Sequence, residues 1–311
     1  MTKRFLPEIA LLVATVFYGA TFTIVQDALE DVTPTGFILV RFSIAAVVLA
    51  PFALARGWKG PAPRPTDSSR MLVLVGGAIG FSAFIGYVCQ NVGLQHTSTS
   101  NSAFITGLFA VFTPIVQVLV YRKWPAPSVL LAVVIAVIGL YFLTGADLTL
   151  NRGDAITLGT AAAFGVWFVQ IGRAANRYDT LALTTVQLAF LALFAVPAVA
   201  IEGMGELTGR ALMAAAVTAV GASAIAFSLQ VWAQRTIEPA RASVIGLFEL
   251  VVAGFVGYAV GERLGWAGYL GAGVILAAIL VAESGTWRRA VAAAQNDQAR
   301  YSTPGSAQTI S

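Results

Sequence analysis

Charge is scarce in this chain. Asp, Glu, Lys and Arg make up 11% of its 311 residues, while hydrophobic residues make up 58%. An ordinary soluble domain carries about 25% charged residues. With a mean hydropathy of +0.79, too little polar surface remains to cover a water-soluble fold of this length, so the main solvent is lipid. One cysteine, Cys89, excludes an intrachain disulfide and leaves the redox compartment unspecified. One histidine, His96, excludes a multi-histidine metal site. No Gly-rich phosphate loop ending in Lys-Ser/Thr occurs, which excludes an ATPase within the chain. No cofactor or metal is implied. No aspartate falls inside a hydrophobic run, Asp27 standing at the very end of the first, which argues against a paired-aspartate intramembrane protease. A serine hydrolase built on Ser82 or Ser223 would need His96, which reads as lying outside its span, and no third partner is evident. The residues therefore indicate no catalytic group and no enzyme. A scaffold or receptor is the other non-transport reading.

What is present is hydrophobic length. Spanning helices need about 20 apolar residues, and ten such runs occur, at 8–27, 35–55, 70–92, 100–121, 128–145, 155–172, 180–200, 210–233, 242–260 and 266–283. The expected fold class is an all-α polytopic membrane protein. Lys3 and Arg4 before an apolar run resemble a signal peptide, but the run is long, lacks a clean cleavage site and aligns with an internal segment, so it reads as a retained first span. With the N-terminus inside, fifteen of the 19 basic residues fall in inner loops or termini, three (Arg152, Arg210, Arg263) fall outside, and Arg41 lies within a span. That asymmetry predicts cytoplasmic N- and C-termini. The net charge of +4 thus reports topology before it reports partners. The expected partners are a small-molecule substrate and the bilayer, not nucleic acid, with monomer and homodimer both open.

The runs repeat. Gly19 and Gly165, Phe22 and Phe168, and Pro51 and Pro197 are each 146 apart. Gly80-Phe81-Ser82-Ala83 recurs as Gly221-Ala222-Ser223-Ala224 at offset 141, and Gly107-Leu108-Phe109 as Gly246-Leu247-Phe248 at offset 139. Five spans per repeat is an odd number, so the halves enter the bilayer from opposite sides, as in alternating-access transporters. The expected organisation is a first repeat over 1–145, a second over 146–284 and a polar tail over 285–311, either disordered or a short surface helix.

Two ionisable residues fall clearly within spans, at a cost of about 2.5–3.5 kcal/mol each on insertion scales. Glu249, near the middle of span 9, suits a proton carrier or a ligand for a cationic group; the alternative is a neutral carboxyl bridging helices. Arg41 suits pairing with Asp27, Glu30 or Asp31, snorkelling to the headgroups, or attraction of an anionic group; its repeat partner is Gln187. The candidate cavity residues are Tyr18, Thr21, Tyr87, Gln90, Trp167, Phe227, Ser228 and Glu249, since small-molecule sites combine apolar walls with a few placed polar groups. Each also has a structural reading as helix glue or interfacial belt. Pro114, inside span 4, reads as a hinge, a cavity wall or a static kink. Gly76 to Gly80 and Gly268 to Gly273 read as close-packing faces.

Phe17-Tyr18-Gly19-Ala20-Thr21-Phe22 followed by Val40-Arg41-Phe42 resembles the helix 1–2 signature of the EamA family of the drug/metabolite transporter superfamily. Gly246-Leu247-Phe248-Glu249 and Gly261-Glu262-Arg263-Leu264 resemble its helix 9 and the turn before helix 10. Leu250 stands where the family often has proline, and Arg122-Lys123 replaces the first-half glycine-glutamate turn. The resemblance implies a bacterial inner-membrane exporter of small metabolites, with a cavity between helices 1, 3, 4 and 6, 8, 9 and with helices 5 and 10 peripheral. The subgroup nearest in character is the amino-acid exporters, including YddG-like exporters of aromatic amino acids. Alternatives are a uniporter, exchanger or importer of a nucleoside, sugar or drug-like solute.

Overall fold

The computed structural model describes residues 5–97, 99–145, 151–259 and 265–302, with backbone alone at 22, 23, 94, 99, 100 and 286–302. Ten helices long and apolar enough to cross a membrane occur among them. We number them α1 (Leu6–Ala28, in pieces α1a Leu6–Ala20 and α1b Phe22–Ala28), α2 (Pro34–Arg56), α3 (Ser69–Leu94), α4a (Thr99–Gly107) and α4b (Phe109–Tyr121), α5 (Pro127–Thr144), α6 (Arg152–Ala174), α7 (Thr180–Glu202), α8 (Gly209–Ala233), α9a (Pro239–Gly246) and α9b (Phe248–Ala259), and α10 (Trp266–Ser302). The Gly261–Leu264 turn, Lys3 and Arg4 lie outside the described residues. The segment after Ser284 continues α10 as helix.

Local chemistry sets the ends. The Thr33 hydroxyl accepts from Gly36 N–H, Ser68 from Met71 and Thr208 from Ala211, each at 3.1 Å, and Asn151 with Asp154 forms a capping box. Gly57 (φ 78°) and Gly203 (φ 79°) close α2 and α7 in the left-handed region. These two glycines are 146 apart.

The same offset relates two tertiary contacts at opposite faces. Val32 pairs with Gly205 in an isolated antiparallel bridge, and Lys59 pairs with Tyr178. Adding 146 to Val32 gives Tyr178, and adding 146 to Lys59 gives Gly205. The α1–α2 turn is thus tied to the α7–α8 turn at one face as the α6–α7 turn is tied to the α2–α3 loop at the other. That is the contact pattern of two halves of opposite orientation. α2 packs along α7, while α5 and α10 form a separate pair. Gly139 and Gly271 bring the backbones of that pair together: a Cβ built on Gly271 would lie 2.1 Å from Leu143 N. Gly76 and Gly80 admit α7 in the same way, a Cβ on Gly80 falling 2.5 Å from Gln187 O, as their spacing predicts. Gly273, from the second small-residue stripe, meets nothing within 4 Å.

Three helices break inside the membrane. Thr21 interrupts α1, and its hydroxyl donates to Phe17 O (2.8 Å) and Tyr18 O (3.1 Å), taking up the carbonyls at the break. Leu108 and Leu247, 139 apart, interrupt α4 and α9 with tightened turns in which their N–H groups reach back three residues, to Ile105 O and Val244 O. Each follows a glycine, which weakens a helix interior. The sequence places the irregularity of span 4 at Pro114; the structure places it at Leu108, and Pro114 is buried within an uninterrupted α4b. α8 carries a π-helical stretch, Ala219–Ile225.

The face bearing the 57–68, 122–126 and 175–179 connections, here the base, is held by ions. Arg177 forms a bidentate pair with Asp67, which also accepts from Tyr178 OH at 3.3 Å and from Arg64 N–H at 2.7 Å. Arg241 bridges Glu8 (2.6 Å) and Glu283 (Nε to Oε1, 2.6 Å). Hydrogen bonds from Arg177 hold the Asp67 carboxyl down at about 2. A lowered carboxylate pKa contributes stability above its ordinary value of about 4 that fades as pH falls toward 2. Replacement Asp67→Asn should therefore lower thermal stability at pH 7 by about 2 kcal/mol and remove the loss the wild type shows between pH 4 and 2. Unfolding followed by tryptophan fluorescence across that range checks both.

Candidate functional site

A cavity of about 370 Å³ opens on the face opposite the base, within the range of about 300–1,000 Å³ typical of small-molecule sites. Its walls come from α1, α2, α3 and α4a of the first half and α6, α8 and α9 of the second. Its mouth lies among Gln26, Leu29, Pro34 and Gln95. At the bottom, the rings of Phe109 and Phe168 stack at 5.3 Å and 10°. Gly246 lies against both: a Cβ there would meet them at 3.3 and 3.4 Å.

Glycines place the polar groups. A Cβ on Gly19 would fall 2.3 Å from Glu249 O and 2.7 Å from Val252 Cβ, so α1 and α9 touch backbone to backbone and Tyr18 comes beside Glu249. Gly165 makes the repeat-related contact with Phe112 of α4b, at 2.8 Å. Six of the eight candidate residues, Tyr18, Thr21, Tyr87, Gln90, Trp167 and Glu249, line the cavity. Tyr18 OH donates to Gln230 Oε1 at 2.9 Å, and Gln90 Nε2 donates to Thr106 Oγ1 at 3.3 Å. Trp167 points its Nε1–H at Gln187 Oε1 (3.1 Å), leaving its ring as wall.

Two candidates are corrected. Phe227 is fully buried behind the wall, its ring against Tyr18 (5.9 Å), Phe42 (6.0 Å) and Trp167 (5.0 Å). Ser228 returns its hydroxyl to Ala224 O at 2.7 Å, within its own helix, and does not reach the cavity.

Of the three readings of Arg41, the structure excludes pairing with the acidic residues near the end of α1. Asp27, Glu30 and Asp31 do not pair with it. Arg210 takes Glu30 (3.0 Å), Asp31 (3.3 Å) and the Asp27 carbonyl (3.2 Å). Arg41 instead lines the cavity, 6% exposed. Its Nε donates to Ser223 Oγ at 2.8 Å, a group presented by the π-helical stretch of α8, and its guanidinium lies 5.0 Å from the Phe42 ring centre and 6.0 Å from that of Tyr87. The other buried charged side chains are compensated: Asp67, Asp179 and Glu283 each pair with an arginine, and Asp154 is held by Thr97 and the Asn151 N–H. Among the described residues Arg41 has no ion-pair partner, and neither does Glu249, which lines the same cavity. A buried guanidinium without a counter-charge is expensive. Its repeat partner Gln187 keeps a polar group without the charge, so any role of the charge is not shared between the halves.

Ten spanning helices and a cavity lined by residues of both halves are the architecture of a multi-pass membrane transporter. The sequence matches the EamA-like transporter family over residues 6–145 and again over 151–283, and the chain belongs to that family. A protein of Archaeoglobus fulgidus named an uncharacterized transporter is 32% identical over 286 residues, covering 90% of this chain and 86% of that protein. The uncharacterized transporter YyaM of Bacillus subtilis is 28% identical over 158 residues, half of this chain and 48% of its own length. A solved structure titled as the crystal structure of a protein superposes with a TM-score of 0.74 at 17% identity, over 89% of this chain and 97% of that one; that likeness concerns the fold.

The Gly19 contact is open to test. Gly19→Ala must push α1 from α9, and overpacking of this kind costs about 1–3 kcal/mol. Gly57→Ala, by contrast, meets nothing within 4 Å and is strained only by its positive φ. Transport activity should fall in Gly19→Ala and survive in Gly57→Ala.

Proposed function

We propose that the protein is a secondary transporter exporting small metabolites across the bacterial inner membrane, with amino acids as its substrates. The base faces the cytoplasm, as the positive charge on its loops favours, and the mouth faces outward. The observation that carries the substrate class is a pair of ionisable groups, Arg41 and Glu249, that line one cavity with no ion-pair partner among the described residues. Arg41 is a donor-only cation that suits a carboxylate; Glu249 suits an ammonium group. Tyr18, Tyr87, Phe42 and Phe164 line the same cavity, a ring-rich wall with Tyr87 tilted on Phe42 at 5.2 Å and edge-on to Phe164 at 5.3 Å. Such a wall suits an aromatic or other neutral side chain. A nucleoside or sugar would use the rings and amides and leave both charges unanswered.

Glu249 also supports a second reading, in which it carries the proton that drives export. One variant separates the two. Substrate counterflow in proteoliposomes, with labelled phenylalanine and threonine and with a nucleoside and a sugar as controls, should show exchange confined to amino acids. Arg41→Gln places in α2 the amide that α7 carries at Gln187, and should raise the substrate concentration for half-maximal exchange by about 10- to 100-fold, the worth of one charge-assisted hydrogen bond. Glu249→Gln should impair counterflow and pH-driven transport alike if the carboxylate holds the ammonium group. Loss of pH-driven transport alone assigns it to the proton. Exchange of the controls, with none of the amino acids, contradicts the proposed substrate class.

A further inference from the structure

The base is closed and the mouth is open, so the two halves are in different conformations, and their internal repeat says what the missing conformation contains. The floor of the cavity is made by Phe109 stacked on Phe168 and by Gly246 against both rings; Gln234, buried outside the cavity lining, supports it by donating its Nε2–H to Phe168 O at 3.3 Å. Phe109 recurs as Phe248 and Gly246 as Gly107 at offset 139, and Phe168 as Phe22 at offset 146. Gln234 lies 139 beyond Gln95, and the two occupy the same position in the fold: Gln95 is the C-cap of α3 and Gln234 the C-cap of α8. Gln234 is buried; Gln95 is exposed at the mouth. The difference extends to whole helices. α9a packs on α6 at the base, a Cβ on Gly172 falling 2.6 Å from Pro239, whereas among the described residues α4a makes no comparable contact with α1 at the mouth.

We infer that Gln95, Phe248 and Gly107 form an outer lid that closes on the α1b backbone at Phe22 when the base opens. Gln95 then donates to the Phe22 carbonyl as Gln234 now donates to that of Phe168. Phe248 settles over Gly107 as Phe109 now lies on Gly246. The helix breaks at Thr21, Leu108 and Leu247 are where the lid segments turn: α1b, α4a and α9b lie on the mouth side of those breaks, while α4b and α9a lie on the base side. Gln95 and Gln234 are positioning residues, each holding one face shut in turn.

The test needs no solute, so its outcome does not depend on what the cavity carries. Spin labels at Gln26→Cys and His96→Cys, both exposed at the mouth, are placed in a Cys89→Ala background in lipid nanodiscs, and their separation is read by double electron–electron resonance. Gln234→Ala weakens the floor and should raise the population of a shorter mouth distance about 2- to 10-fold, the effect of one ordinary hydrogen bond on a two-state ratio. Phe109→Ala, which removes half of the floor stack, should act in the same direction. Adding Gln95→Ala to Gln234→Ala should return the population toward the long distance. A mouth distance unchanged by both floor variants, in protein that elutes as a single folded species, overturns the inference. So does a short-distance population indifferent to Gln95→Ala.

Discussion

Arg41 is buried among aromatic rings in a membrane helix, with one hydroxyl and two ring faces around it and no carboxylate. Every other feature of the cavity follows from that arrangement or protects it. Phe42 and Tyr87 stay close because a ring face is the next best environment for a cation. The π-helical stretch of α8 brings Ser223 to its Nε, consistent with the use of such irregular turns at functional sites. Two nearby carboxylates, Glu30 and Asp31, are held elsewhere by Arg210. The guanidinium is left to whatever enters from the mouth, and Glu249 is left to answer the other end of it.

The surrounding scaffold is nearly symmetric, and the departures from symmetry carry the chemistry. The paired bridges Val32–Gly205 and Lys59–Tyr178, the terminating glycines Gly57 and Gly203, and the contacts at Gly19 and Gly165 obey a single offset. Arg41 faces Gln187 across that relation, and Glu249 faces Ala110. A fold that needs only packing keeps small and apolar residues at both members of a pair. Arg241 is also charged on one half only, its repeat partner being Ser102, but it is paired within the protein by Glu8 and Glu283; Arg41 and Glu249 have no such partner among the described residues.

The spans were legible because a 20-residue apolar run has few other uses, and the repeat because glycines at helix crossings tolerate no side chain. Six cavity residues were legible as polar or aromatic groups near mid-helix. Helical rotation was not. Ser228 and Phe227 sit at suitable depth but face their own helix and the packed core, and a run that is apolar all round gives no periodicity from which to read the face. For Arg41 the sequence leaves pairing with Asp27, Glu30 or Asp31, snorkelling and attraction of an anionic group all open. What takes Glu30 and Asp31 out of reach is Arg210 in the other half, a contact 180 residues away in sequence at Glu30. The breaks at Leu108 and Leu247 were present as a repeated Gly-Leu-Phe, yet Pro114 drew the expectation because proline is the stronger local signal.

The central claim is that one bound solute answers Arg41 and Glu249 at once. Its most direct test is calorimetric binding to the purified protein of three compounds sharing a ring: L-phenylalanine, phenethylamine, which lacks the carboxylate, and 3-phenylpropionate, which lacks the amine. Phenylalanine should bind measurably and each of the others at least about tenfold more weakly, since each leaves Arg41 or Glu249 without its partner. Equal affinity for all three would mean that the rings alone bind the solute, and would contradict the claim.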